Sequence, residues 1–210
     1  MALSSTASSW VTSLDQLDLS ATYTYADYLR WRLQERVELI WGKIFRMAPA
    51  PARMHQRVLV KLSGQMLKTE RNDRSCQLYV APFDVRFPKA PGQKPHLPDE
   101  LHTVVQPDLC VVCDKSKLDE RGCLGAPDWI VEIVSPSTAK KDLNDKFQLY
   151  ESQGVREYWI VHPQDQSLNA FLLEHGRFQF RGIFGPGQQV PVGIFPGYHV
   201  DLNEVFEDEN

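Results

Sequence analysis

The order of helix-like and strand-like segments constrains the fold of this chain more than any other sequence feature. Apolar residues recur at helical spacing from Met54 to about Glu70, and a second helix is predicted from the Ser135-Pro136 break to about Gln153. Short segments of strand length lie around these helices, at residues 37–45, 78–87, 103–113, 129–135, 157–161, 167–173 and 177–183. This order favours an α/β (α+β mixed) fold with one mixed β-sheet flanked by helices and an additional C-terminal β-hairpin, rather than a barrel or a sandwich.

Local patterns add detail to three of these segments. Thr24 is the predicted N-cap of a first helix that runs to about Glu35. Residues 37–45 are expected to form a strand or a hairpin that turns at Gly42. The C-terminal β-hairpin is predicted to turn at His175-Gly176.

Length and composition place the chain among globular proteins. With 210 residues, 42% of them hydrophobic, it can bury a core without a disulfide or a structural metal. We predict a loose N-terminal arm at residues 1–20, a single domain at 21–200 and an acidic C-terminal tail at 201–210. The apolar stretches are far shorter than the roughly 20 residues that span a bilayer, and no secretory signal is apparent. A cytoplasmic location without membrane contact is therefore expected.

The four cysteines are expected to be reduced thiols in such a compartment. Cys110 and Cys113 form a C-x-x-C pattern, but they lie on a predicted strand, where residues three apart face opposite sides of the sheet. A shared zinc ion is therefore disfavoured, and the thiols are predicted to be small buried hydrophobic groups.

Positive charge is concentrated in one part of a chain whose formal net charge is -4. Eleven basic residues and four acidic ones lie between Arg30 and Arg74. The longest predicted helix carries Arg53, Arg57 and Lys61 on or near one side, which suits contact with a nucleic-acid backbone. A solvated helix face has the same composition, so both interpretations stay open.

Two carboxylates interrupt apolar, strand-like segments. Asp108 is followed by Leu109 and Val111, and Glu132 lies inside the apolar residues 130–134. Because burial of an unpaired charge is costly, each carboxylate is expected to be paired, hydrogen-bonded or bound to a metal. Two structural ion pairs remain the alternative to a functional site.

Lys146 and Glu38 are two further charged residues in apolar surroundings. Lys146 shares a helical stripe with residues 143, 147 and 150, so it is predicted to face the core and to have an acidic partner or a chemical role. Asp142, one turn earlier, is a candidate partner. Glu38 could equally be a capping or hairpin residue.

Together, Glu38, Asp108, Glu132 and Lys146 are the residue types that metal-assisted phosphodiester hydrolysis uses. Carboxylates are the oxygen ligands that Mg²⁺ prefers, with Mn²⁺ as the alternative ion, and the bound ion lowers the pKa of a water molecule. A lysine orients that water or stabilises charge in the transition state. These four residues form the candidate catalytic set.

Several short motifs connect this set to a known family. In the second half of the chain they are Pro107-Asp108, residues 132–137, Asp142 with Lys146 and Tyr150, and residues 154–159. Upstream they are residues 38–44, residues 47–49, His55-Gln56 and residues 81–85. In this order and spacing they resemble the Uma-type putative restriction endonuclease family, which is widespread in cyanobacteria and is part of the PD-(D/E)XK nuclease superfamily. The resemblance covers roughly residues 22–175.

The resemblance implies a restriction-endonuclease-like core in which Asp108 and Glu132 bind the metal and Glu38 is an accessory acid. The lysine of the superfamily pattern lies two residues after the glutamate, where this chain has Val134. Lys146, on the following helix, is the implied substitute.

A homodimer is also implied, since many nucleases of this fold pair two subunits to cut both strands. The C-terminal hairpin and residues 190–195 are the predicted interface elements. His55 and Asp84 match the family pattern as well, although a histidine at a helix start is commonly a cap or a surface residue.

Two functions of different classes are predicted. The first is a Mg²⁺-dependent endonuclease that hydrolyses DNA phosphodiester bonds, with Arg53, Arg57 and Lys61 on the DNA backbone. The alternative is a catalytically inactive nuclease-fold module for nucleic-acid binding or assembly, whose carboxylates serve the structure. Hydrolysis of another phosphate ester at the same carboxylates is a third hypothesis.

Overall fold

A computed structural model of the chain describes residues 10–47, 52–72, 75–93, 97–134 and 139–207, with the backbone alone at 69–72 and 139–143. The helices are α1 (Tyr25–Tyr28), α2 (Arg53–Asn72), α3 (Ala139–Gln153) and α4 (Leu202–Phe206). The strands are β1 (Val37–Ile40), β2 (Lys43–Arg46), β3 (Gln77–Val80), β4 (Val85–Phe87), β5 (Thr103–Val105), β6 (Leu109–Val112), β7 (Leu118–Asp119), β8 (Gly122–Leu124), β9 (Trp129–Ile133), β10 (Glu157–His162), β11 (Ser167–Glu174), β12 (Arg177–Phe184), β13 (Gln189–Pro191) and β14 (His199–Asp201). Within these ranges, every helix is too short or too polar for a membrane crossing.

The described strands form two six-stranded sheets and one two-stranded sheet. The first sheet has the order β2-β1-β5-β4-β8-β7, the second has the order β12-β11-β10-β9-β6-β3, and β13 pairs with β14. The predicted mixed α+β class is confirmed, whereas the prediction of one sheet is wrong. Segments 78–87 and 103–113 each break and give one strand to each large sheet. Pro82 and Pro107 stand at the two breaks, and neither has the N–H that would continue a ladder.

Both predicted hairpins are present. Strands β1 and β2 turn at Trp41-Gly42, and β11 and β12 turn at His175-Gly176. All four turn residues have positive φ. This is the backbone conformation of the two-residue turn whose twist matches that of the paired strands.

The first helix is much shorter than predicted. Thr24 caps it as expected, because its hydroxyl accepts from the Asp27 N–H and the Asp27 carboxylate accepts from the Thr24 N–H. The helix ends at Tyr28 because the following residues pair with the preceding chain, where Val11 forms a bridge to Trp31. Leu14 is buried, so the described part of the predicted loose arm, from residue 10, packs on the domain. Residues 1–9 lie outside the described ranges.

The predicted acidic tail is also wrong for residues 201–207. Leu202, Val205 and Phe206 of α4 are buried in the same apolar cluster as α2. The Gln65 side chain of α2 donates to the Asp201 carbonyl oxygen and accepts from the Asp201 N–H, which ties the segment to the helix. The acids at 201, 204 and 207 therefore lie on or next to a helix that packs on the domain. Their charge made the sequence resemble a solvated tail, although the helix has an apolar side. Residues 208–210 lie outside the described ranges.

The two long helices cover opposite faces of the second sheet, and this places Glu132. Trp129, Val131 and Ile133 of β9 pack in the cluster that contains α2. Ile130 packs in the cluster that contains α3 and part of the first sheet. Because side chains alternate along a strand, Glu132 lies with Ile130 on the α3 face, between the two sheets.

The cysteines differ from the prediction in one pair. Cys76 and Cys113 form a disulfide, so the expectation of four reduced thiols is wrong for them. Gln77 pairs with Val112, and the residues next to them, Cys76 and Cys113, are therefore opposite each other on antiparallel chains. Cys110 and Cys123 are free and buried, as small hydrophobic groups would be.

Two glycines with positive φ allow a matched stability prediction. A Cβ on Gly122 would lie 2.2 Å from the Asp84 carbonyl oxygen, whereas a Cβ on Gly92 would meet none of the described residues within 4 Å. Gly92→Ala is expected to lower the free energy of unfolding by about 1 kcal/mol, from backbone conformation alone. Gly122→Ala is expected to cost about 3 kcal/mol, because the strained φ and the backbone clash add together. Urea unfolding of both variants checks this, and equal losses would contradict the close approach of β8 to Asp84.

Candidate active site

Asp108 and Glu132 lie at neighbouring positions of two adjacent strands, with Asp108 directly before β6. The antiparallel register pairs Leu109 with Val131, which puts Asp108 opposite Glu132 at the point where β6 begins. Directly opposite residues have Cβ atoms about 5 Å apart. The Asp108 Oδ2 atom accepts a 2.7 Å hydrogen bond from the Ile133 N–H, so the backbone of β9 holds this carboxylate beside Glu132.

Lys146 lies between two carboxylates. Its Nζ atom is 2.9 Å from Glu38 Oε1 and 3.0 Å from Glu132 Oε1, and all three side chains are buried. The Tyr150 hydroxyl donates to Glu132 Oε1 at 2.7 Å. The structure therefore brings together all four candidate catalytic residues. Glu38 is a hairpin residue, as the alternative held, since it pairs with Phe45, but its carboxylate binds Lys146. The side chain of the other proposed partner, Asp142, lies outside the described residues.

Gln106 connects the site to the first sheet and was not predicted from the sequence. Its N–H donates to Glu38 Oε1 at 2.8 Å, while its side-chain amide donates to Asp84 Oδ1 at 2.9 Å and accepts from Arg36. The Tyr25 hydroxyl donates to the other oxygen of Asp84. Asp84 therefore reaches the carboxylates through Gln106. The one sequence signal for Gln106 was its position directly before Pro107-Asp108.

His55 of α2 contacts Asp108 of the same site. Its Nε2 atom is 3.1 Å from Asp108 Oδ1, so the side chain is neither a cap nor a free surface group. Burial lowers the pKa of His55, but the hydrogen bond and the charge of Asp108 outweigh it and raise the pKa overall. The Nδ1 atom is buried and has no hydrogen-bond partner among the described residues. This geometry fits a histidine that orients Asp108.

Burial and charge act in opposite directions on the central pair. Burial raises the pKa of Glu132 to about 7 although Lys146 lowers it. For Lys146, burial lowers the pKa, but the charges of Glu132 and Glu38 outweigh burial and raise it. Lys146 is therefore charged at neutral pH, while Glu132 is close to its midpoint.

This raised pKa predicts a pH dependence of stability. Between about pH 4.5 and pH 7 the folded protein binds more protons at Glu132 than the unfolded chain does, so the free energy of unfolding falls as pH rises. The wild type is expected to lose up to about 3 kcal/mol relative to Glu132→Gln between pH 5 and pH 8. Urea unfolding of the two proteins at both pH values measures this. A constant difference between them would show that burial does not perturb Glu132.

The predicted nucleic-acid contacts lie on α2. Arg53 is exposed, and Arg57 and Lys61 are half-buried. At about 100° per residue, these three lie within about 80° of one another, whereas His55 lies at least about 120° from each of them. The basic residues therefore occupy a different face of α2 from the one that meets Asp108.

The donor set of the site fits a hard divalent cation. Asp108 and Glu132 present carboxylate oxygens from neighbouring strands, and Glu132 Oε2 accepts no hydrogen bond from another described residue. In the described part of the chain, no three His, Cys, Asp or Glu side chains converge as a metal cage. Mg²⁺ is commonly bound by one or two carboxylates with water and substrate phosphate completing its shell. The pair therefore fits Mg²⁺ in a site shared with substrate.

Comparisons with known proteins agree with the fold and the motifs. The model of the Uma2 family, described as putative restriction endonuclease, matches residues 25–203. An uncharacterized protein of Synechocystis sp. is 30% identical over 143 residues, which is 66% of this chain and 73% of that protein. A peptide deformylase of Brucella suis is 30% identical over 81 residues, which is 37% of this chain and 46% of that protein. The chain thus matches less than half the length of the deformylase.

A solved structure has the same fold. The crystal structure of a putative nuclease belonging to DUF820 from Anabaena variabilis aligns with a TM-score of 0.67 at 21% identity, over 87% of this chain and 97% of that one. At this identity the similarity shows the fold alone, and it confirms the predicted mixed α+β, nuclease-like class.

Proposed function

The chain belongs to the Uma2 family of putative restriction endonucleases, and we propose that it is a Mg²⁺-dependent endonuclease that hydrolyses phosphodiester bonds of DNA. The observation that carries the proposal is the placement of Asp108 opposite Glu132, with the Lys146 ammonium 3.0 Å from Glu132. Paired carboxylates with an adjacent cation suit a reaction that builds negative charge on a phosphate.

Each residue of the site has a proposed part. Asp108 and Glu132 would hold the metal, which when bound lowers the pKa of a water molecule and neutralises charge on the phosphate. Lys146 orients the attacking water or stabilises the phosphate oxygens. Glu38 holds the Lys146 ammonium from the other side, and the Tyr150 hydroxyl fixes Glu132. His55 and the Ile133 N–H fix the two oxygens of Asp108.

DNA is the proposed partner because of the family and the basic side of α2. Arg53, Arg57 and Lys61 repeat at every fourth residue, so they present adjacent positive charges along one helix face. Such contacts would hold the phosphate backbone without reading the sequence.

A homodimer is proposed through the β11–β12 hairpin. In the described strand order β12 is the last strand of the second sheet, and its Phe180 and Ile183 side chains are 57% and 65% exposed. Exposed apolar groups on an edge strand favour pairing with a second chain. The other predicted element, residues 190–195, is less suitable because Val190 and Val192 are buried within the chain.

A plasmid-nicking assay tests the proposed activity. Supercoiled DNA is incubated with the wild type in Mg²⁺, in Mn²⁺ and in EDTA. Nicked or linear product is expected with either ion and none with EDTA. Product formation that is equal in EDTA would contradict the metal-dependent mechanism.

One observation favours the second candidate, a catalytically inactive module that binds nucleic acid. The Lys146 ammonium pairs with both Glu38 and Glu132, and this pairing balances charge without a metal. Such a module would bind DNA equally well in EDTA, lose affinity as salt increases and never nick it. Filter binding at two salt concentrations, run beside the nicking assay, separates the two functions. Cleavage of a simple phosphate monoester instead of DNA would indicate the third hypothesis.

A further inference from the structure

A cavity of about 360 Å³ lies on the first sheet. It is lined by Tyr25 of α1, Arg86 of β4, and Asp119, Glu120 and Arg121 at the β7–β8 turn. Its volume is within the range of small-molecule sites. None of the four candidate catalytic residues lines it. It is therefore a different site from the four candidate catalytic residues, although the hydroxyl of Tyr25 in its wall donates to Asp84.

Arg86 is the unusual residue of this cavity. Only 4% of it is exposed, because β4 is an inner strand between β5 and β8. Its Nη2 atom donates to Asp119 Oδ1 at 2.7 Å, but its Nε atom is buried and has no hydrogen-bond partner among the described residues. A buried guanidinium normally has its donors satisfied, so the unused Nε of a residue that lines a cavity indicates a missing acceptor.

Asp119 is a replaceable partner for this guanidinium. Its side chain is 49% exposed at a turn, and the described contact with Arg86 uses one oxygen and one nitrogen. A carboxylate that accepts from both Nε and Nη2 makes the stronger, two-bond arrangement. An incoming carboxylate can therefore displace Asp119 and satisfy the donor that Asp119 leaves unused.

The rest of the lining restricts the ligand. Leu97, Pro98, Leu101 and Leu124 provide apolar walls, and the Tyr25 ring lies 5.5 Å from the Arg86 guanidinium carbon. Two arginines are balanced by two acids, so one negative charge is accommodated better than two. We propose that the cavity binds a small organic monocarboxylate with a flat apolar body, whose carboxylate takes the Nε and Nη2 donors of Arg86 in place of Asp119.

Calorimetric titration with three probes tests this proposal. Benzoate has the proposed charge and shape, benzamide is its neutral counterpart, and phenyl phosphate carries nearly two charges. Benzoate is expected to bind saturably, with benzamide at least about tenfold weaker because it lacks the charge that strengthens the hydrogen bonds. Phenyl phosphate is expected to bind less tightly than benzoate. No saturable benzoate binding at millimolar concentration, or tighter phenyl phosphate binding, would overturn the proposal.

Matched variants identify the residues involved. Arg86→Met is expected to weaken benzoate binding at least about tenfold, and unchanged affinity in this variant would overturn the proposal. Asp119→Ala removes the competing carboxylate and is expected to tighten binding several-fold more than Glu120→Ala, which makes the same charge change at the same turn. Equal effects of these two variants would show a general charge effect and overturn the displacement. If Arg86→Met does not fold by circular dichroism, Leu124→Trp, which fills the cavity, must abolish benzoate binding.

Discussion

Asp108→Asn is expected to lower the Mg²⁺-dependent nicking rate by about a thousandfold or more, since loss of a metal ligand removes several kcal/mol of transition-state stabilisation. The substitution keeps the shape of the side chain and one oxygen for the Ile133 N–H. It removes the negative charge that helps to raise the pKa of Glu132. Single-turnover cleavage of supercoiled plasmid measures the effect.

Asp128→Asn is the matched control for this loss. Asp128 is buried, lies near the opposite end of the same two strands, accepts a hydrogen bond from the Cys113 N–H and pairs with the exposed Arg156. The Asp128→Asn substitution removes one negative charge, as Asp108→Asn does, but at a position away from the proposed metal site. The control is expected to keep the wild-type nicking rate, and an equal loss in both variants would mean that Asp108 acts through stability instead of chemistry.

Lys146→Met is expected to have the largest effect on stability. It leaves Glu38 and Glu132 buried without the cation that lies 2.9 Å and 3.0 Å from them. Removing one partner from a buried ionic group costs about 3–5 kcal/mol of unfolding free energy. Urea unfolding at pH 7 measures the loss, and nicking is expected to be lost at the same time.

The double variant Glu38→Gln/Lys146→Met separates structure from chemistry. It removes one of the two stranded carboxylates, so much of the lost stability is expected to return. Nicking is not expected to return if Lys146 acts on water or phosphate. Recovery of both stability and nicking would assign Lys146 a purely structural role.

The residues of the site could be found from the sequence because each breaks a strong local pattern. Asp108 and Glu132 interrupt apolar, strand-like segments of the sequence, and Lys146 interrupts an apolar helix stripe. Their catalytic and metal-binding roles remain predictions, but the structure brings them together with Glu38. The hairpins were predicted for a similar reason, since turn residues such as Gly42 act within a few positions.

What the sequence missed depends on contacts between distant residues. Glu38 and Lys146 are 108 positions apart, so from the sequence alone the nearer Asp142 was an equally good partner for Lys146. The division into two sheets depends on which neighbours β3 and β6 find, and β-strand patterns do not specify partners. The C-terminal helix was not predicted because acidic residues dominate the composition of residues 201–210. Its apolar side consists of the buried residues Leu202, Val205 and Phe206.

Calorimetric titration of Mg²⁺ into the wild type and Asp108→Asn tests the central claim most directly. The claim is that Asp108 and Glu132 together form a metal site. We expect saturable binding of Mg²⁺ to the wild type, strengthened by added DNA, and loss of that binding in Asp108→Asn. Equal Mg²⁺ affinity in the two proteins would contradict the claim and would place any bound metal elsewhere in the molecule.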